Sequence, residues 1–138
     1  MYAQGLVTPV LALVGWTFVM WLWMYATRIP AMRAANIDLD EMSRTGTPLS
    51  LPPEAERVAD NYNHLHEQPT LFYAVALAAQ LSGAMDHTSI GLAWGYVLVR
   101  VVHSLVQATR NVIMVRFSVF AFGSLLLFAL FVRTLALL

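Results

Sequence analysis

Apolar and polar positions alternate along this chain in long blocks. The first block, residues 6–26, runs 21 residues without a charge, enough to cross a hydrocarbon core of about 30 Å at about 1.5 Å per residue. Residues 27–53 form the one extended polar segment, with Arg28, Arg33, Asp38, Asp40, Glu41 and Arg44 ahead of a turn-rich run. A short amphipathic piece is expected within it, around 31–42, lying at the membrane surface. Ser50 followed by Pro52, Pro53 and Glu54 reads as a helix start, with proline in the first turn and carboxylates at the positive dipole end. The pattern then predicts one helix over about 53–83, kinked at Pro69, which cannot donate to the carbonyl of Leu65. Two further helices are predicted over about 88–109 and 117–137, joined by a short loop from Arg110 to Arg116. With a first helix over about 5–27 and a polar loop over about 28–52, residues 1–138 read as a single domain. The fold class is an all-α integral membrane protein, a bundle of four transmembrane helices in contact with the lipid bilayer.

Composition supports that class. Hydrophobic residues make up 59% of the chain and charged residues 12%, against about 25% charged in ordinary soluble domains. Formal net charge is zero, so no basic surplus points to nucleic acid. All eight basic residues are arginine, and there is no cysteine. Disulfides, thiolate metal sites and a cysteine nucleophile are excluded; thiol chemistry would need a thiol brought by a cosubstrate. The first apolar run lacks a basic leader, and Arg28 stands where a small-residue cleavage site would lie, so it reads as a retained helix.

Candidate chemistry concentrates on two faces. In a helix, Arg57, Asn61, His64 and Gln68 recur on one side, with Asp60, Asn63 and Glu67 in overlapping lines. Arg100, His103, Gln107 and Arg110 form a second stripe on the third helix. An unpaired Arg100 at that depth would cost several kcal/mol, so it needs a partner or water. One reading of these residues is structural: Arg57, Asp60, Glu67 and Arg100 as ion pairs that fix helix packing. The other is a pocket for an anionic ligand, because Arg57, Arg100, Arg110 and Arg116 outnumber Asp60 and Glu67. Metal or haem ligation is the weaker pattern, since His64 and His66 point to different sides of a helix and His64-x-x-Glu67 is not repeated.

Arginines also suggest sidedness. The first and third loops hold Arg28, Arg33, Arg44, Arg110 and Arg116, and the second loop holds none, which makes the first and third loops cytoplasmic. The expected location is a bacterial inner membrane.

Four hydrophobic helices, Glu56-Arg57 opening the second, Glu67 before a proline and an apolar run, then Arg100-x-x-His103 and Arg116, resemble the membrane-associated proteins in eicosanoid and glutathione metabolism, the MAPEG family. The resemblance spans essentially the whole chain. It implies a homotrimer with glutathione as cosubstrate bound between subunits, acting on hydrophobic small molecules. Arg116 would be the catalytic, thiolate-stabilising residue. Arg57, Asn63, His64, Glu67, Arg100, His103 and Gln107 would form the peptide site. The chain departs from the family pattern at His64 (commonly Asn), Asn63 (commonly Arg), Gln107 (commonly Tyr), and Phe117 and Phe120, where polar residues are common. The family also includes non-catalytic lipid-binding members, so a trimeric lipid- or anion-binding scaffold, or an accessory subunit of a larger membrane complex, stands as the alternative.

Overall fold

A computed structural model describes residues 5–138. Those residues form six α-helices: α1 Val7–Ala34, α2 Leu39–Thr45, α3 Pro53–His64, α4 Gln68–Ser82, α5 His87–Ala108 and α6 Ile113–Leu137. Helices α1, α5 and α6 are long and apolar enough to cross a membrane. At 15 residues, α4 is about 22 Å long and falls short alone.

The first helix runs on to Ala34, past Arg28 and with Pro30 inside it, instead of ending near residue 27. Charge marks where the hydrocarbon ends, whereas a helix ends where its carbonyls find other donors. Here Asn36 takes a left-handed conformation (φ 53°). The Asn36 and Ile37 amides donate back to the Arg33 and Met32 carbonyls at 3.1 and 3.3 Å, a Schellman closure. The short helix expected around 31–42 accordingly starts later, at Leu39. Its Asp38 cap accepts from the Asp40 and Glu41 amides at 3.0 and 3.1 Å.

The expected helix start at Pro53 is observed, but Pro52 is the cap and Ser50 makes no side-chain cap. Instead the Glu56 carboxylate accepts from the Leu51 amide at 3.0 Å. The single kinked helix is in fact two. Pro69 takes the second position of α4, and its missing N–H leaves the preceding turn to tighter i→i−3 bonds: His66 to Asn63 at 3.0 Å and Glu67 to His64 at 3.1 Å. The chain therefore breaks at Leu65-His66-Glu67, ahead of the proline itself.

Gly83 closes α4 in the left-handed region (φ 74°), and Asp86 caps α5 by accepting from Ser89 N at 2.9 Å. The last helix begins at Ile113, four residues before the expected 117. Asn111 (φ 51°) makes the reversal, which brings Arg116 into the first turn of α6. Arg133, near the end of α6, forms an ion pair with Asp86: its Nε donates to Oδ1 at 2.9 Å and its Nη2 to Oδ2. It is the one ion pair among the described residues. It ties the α4–α5 turn to the last turns of α6, and the guanidinium together with the Ser89 amide holds the Asp86 carboxyl well below the ordinary carboxylate range.

Helices α5 and α6 form the most extensive pairing, α1 packs on α3, α4 and α5, and α4 on α6. Small residues allow the approach: a Cβ at Gly123 would meet Val99 Cγ1 at 3.2 Å. The core joins Leu13 and Met20 of α1, Val58 and Phe72 of α3 and α4, Tyr96 of α5 and Leu130 of α6. Phe72 stacks on Tyr96 at a centroid distance of 4.7 Å. Outside that core the long helices expose large apolar side chains, among them Phe18, Leu22, Leu98, Phe122, Leu125 and Phe128.

Candidate functional site

The break between α3 and α4 turns its polar residues toward α5 and α6. A cleft of about 300 Å³ opens there. The α3–α4 junction supplies His64, Glu67 and Gln68, α5 supplies Arg100 and His103, and α6 supplies Ile113, Arg116, Phe117 and Phe120.

Arg100 is 4% exposed. Its Nη1 lies 2.7 Å from His103 Nδ1. A guanidinium can only donate, so Nδ1 accepts and the neutral imidazole carries its proton on Nε2. Nε and Nη2 of Arg100 are buried with no partner, and no carboxylate lies within salt-bridge distance. The expected need for a partner is therefore met at one of three nitrogens. Arg116 is held from below: its Nη1 donates to Asn111 Oδ1 at 2.8 Å, and both residues belong to the α5–α6 reversal. The cleft is thus lined by two arginines and two histidines against one carboxylate, Glu67.

The remaining polar residues brace these. His64 Nδ1 lies 3.2 Å from Oε1 and 3.1 Å from Nε2 of the buried Gln107, tying α3 to α5. Tyr96 Oη donates to Gln68 Oε1 at 3.2 Å, and Gln68 Nε2 donates to Ser124 Oγ at 2.8 Å, linking α5, α4 and α6.

Five of the eight sequence candidates, His64, Glu67, Arg100, His103 and Arg116, therefore line one cleft, and Gln107 stands behind it on His64. Two do not join them. Arg57 donates to the Thr109 carbonyl at 3.0 Å, where it caps the negative end of α5. Asn63 is exposed and lines no part of the cleft. Gln68, placed on the His64 face by its i+4 relation but not counted among the peptide-site residues, also lines the cleft. The ion pairs of the structural reading, among Arg57, Asp60, Glu67 and Arg100, are not formed. His66 and His103 line different clefts, and no cluster of three or more metal-ligating side chains occurs among the described residues.

Three spanning-length apolar helices define a helical integral membrane protein, with a cleft between its helices lined by both charged and aromatic side chains. The chain belongs to the MAPEG family, whose match covers residues 6–136, nearly its whole length. No similar curated protein and no similar solved structure was found.

Proposed function

We propose that this protein is a membrane glutathione transferase or peroxidase that works on hydrophobic electrophiles dissolved in the bilayer. The observation that carries the reading is Arg100, buried with two unpartnered nitrogens, in one cleft with Arg116. Such a site calls for an anionic ligand. Glutathione offers two carboxylates, an ammonium group and a thiol, and membership of a family associated with glutathione supports the choice. Arg100 and the Nε2–H of His103 would hold a carboxylate, Glu67 the ammonium group, and Arg116 the sulfur. A guanidinium beside the thiol lowers its pKa and raises the thiolate fraction at neutral pH. The thiolate then attacks the electrophilic carbon; the leaving group departs with the bonding pair, and the thiol proton goes to solvent.

At about 300 Å³ the cleft of one chain lies at the lower end of ligand-site volumes, about 300–1,000 Å³. A neighbouring copy would complete it, which fits a homotrimer. In that assembly α3 and α4 act together as the second of four spans. Arginine-rich first and third loops favour a cytoplasmic cleft mouth, in a bacterial inner membrane. Titration of the detergent-purified protein with glutathione, followed by thiolate absorbance, tests the reading. Saturable binding with a thiolate signal that disappears in Arg116→Ala is expected. An equal thiolate signal in Arg116→Ala overturns the assignment of that residue, and no binding at millimolar glutathione overturns the function.

A second reading rests on Phe117 and Phe120, which line the same cleft at 66% and 42% exposure. Apolar rings beside an arginine suit a lipid with an anionic headgroup. They favour a non-catalytic lipid- or anion-binding scaffold should glutathione fail to bind.

A further inference from the structure

A second cleft, of about 260 Å³, lies on the other side of the α3–α4 break, between that break and α1. It shares no residue with the arginine cleft. Its walls are aromatic: Phe18 and Trp21 of α1 meet edge to face at 6.4 Å, with Tyr62 and Tyr73 among the other lining residues. Phe18 is 60% exposed, so the cleft opens sideways on the surface that faces lipid.

Its hydrogen-bonding character is the reverse of the arginine cleft's. His66 Nδ1 lies 2.9 Å from the Tyr62 carbonyl oxygen. A carbonyl only accepts, so Nδ1 carries the proton and Nε2 of the neutral ring is left as a lone pair. The Tyr62 ring, 4.7 Å away edge to face, steadies the imidazole. Thr70 donates to the Glu67 carbonyl at 2.6 Å and Thr17 to the Leu13 carbonyl at 2.9 Å. Three polar groups on this wall, His66, Thr70 and Thr17, thus spend their protons inside the protein and offer acceptors to a ligand; Tyr62 and Tyr73 add their hydroxyls to the lining.

We propose that this cleft is a second ligand site, which takes a lipophilic phenol from the bilayer and binds its hydroxyl proton on His66 Nε2. An aromatic ring suits the Phe18–Trp21–Tyr62–Tyr73 walls, a hydrogen-bond donor suits the acceptor-lined interior, and an alkyl tail leaves through the open side. The site does not depend on the glutathione reading.

The test uses the full chain in nanodiscs, titrated with para-octylphenol and with its methyl ether, para-octylanisole, which keeps the ring and tail but has no proton to give. Saturable phenol binding, with the anisole about tenfold weaker, is expected. His66→Leu should reduce the phenol to the anisole's affinity, and His66→Gln, which restores an acceptor at similar reach, should recover part of the difference. Glutathione titration of the same variants should match the parent, which separates failure here from failure at the arginine cleft. Equal affinity for the two probes, an unchanged phenol affinity in His66→Leu, or no saturable phenol binding (as when a second copy covers the cleft) overturns the proposal.

Discussion

Replacing Arg100 by Met separates the two roles a buried arginine can have. Each buried donor left unpaired costs about 1–3 kcal/mol, and Arg100 has two, Nε and Nη2. Without a ligand they cost at least about 2 kcal/mol, against about 1 kcal/mol for losing the bond to His103. Methionine fills similar space with no polar atom to satisfy, so the ligand-free Arg100→Met protein is expected to be as stable as the parent or more so. Ligand binding should respond in the opposite direction. Two charge-assisted hydrogen bonds are lost at about 1.5–3 kcal/mol each, a total of at least about 3 kcal/mol, or roughly 100-fold in affinity. The assays are thermal unfolding without ligand and calorimetric titration with glutathione, both in detergent. A lowered ligand-free melting temperature with unchanged glutathione affinity would refute the reasoning and make Arg100 a packing residue.

Three further outcomes follow from the geometry. Gln68→Leu leaves the buried Tyr96 hydroxyl unpaired and should cost about 1–3 kcal/mol; adding Tyr96→Phe should return part of that loss, and strict additivity in thermal unfolding would exclude the link. Asp86→Asn breaks the tie to Arg133, and its effect should depend on pH. The folded carboxyl titrates below its ordinary value of 3.8, so the pair's contribution is complete above that value and is lost as pH falls through the lower folded one. Parent and variant melting temperatures should therefore differ at neutral pH and converge toward strong acid. Gly83→Ala puts a side chain at φ 74° and should destabilise by roughly 1–2 kcal/mol, whereas Gly15→Ala, with open space around its Cβ, should not.

Membrane class was legible because it needs only composition and run length: apolar stretches of spanning length leave few other folds. The break near Pro69 was legible for a local reason, a missing N–H, although its position was misread as the proline itself. Helix ends were read poorly where charge stood in for capping. Arg28 does not end α1, because a helix leaves the hydrocarbon without unwinding, and Asn36 was the true stop. The start of α6 was placed too late for a related reason: Arg116 interrupts the apolar run but not the helix.

Within the cleft, i, i+3 and i+4 spacing put Arg100, His103 and Gln107 on one face and His64 and Gln68 on another. That much is a property of the helix period. Which residue meets which is not, because it depends on how the helices are rotated and how closely they approach. Gly123 against Val99 sets the α5–α6 approach, and the break at Leu65-His66-Glu67 sends His64 toward Gln107 and His66 toward Tyr62. Arg57 leaves the cleft for the Thr109 carbonyl, and Arg133 finds Asp86 47 positions away. The sequence by itself determined a membrane-embedded helical chain carrying too many arginines for its carboxylates at one depth. Only the tertiary structure decided that Arg100 keeps two donors unpaired, and that two clefts sharing no residue stand on opposite sides of the same break.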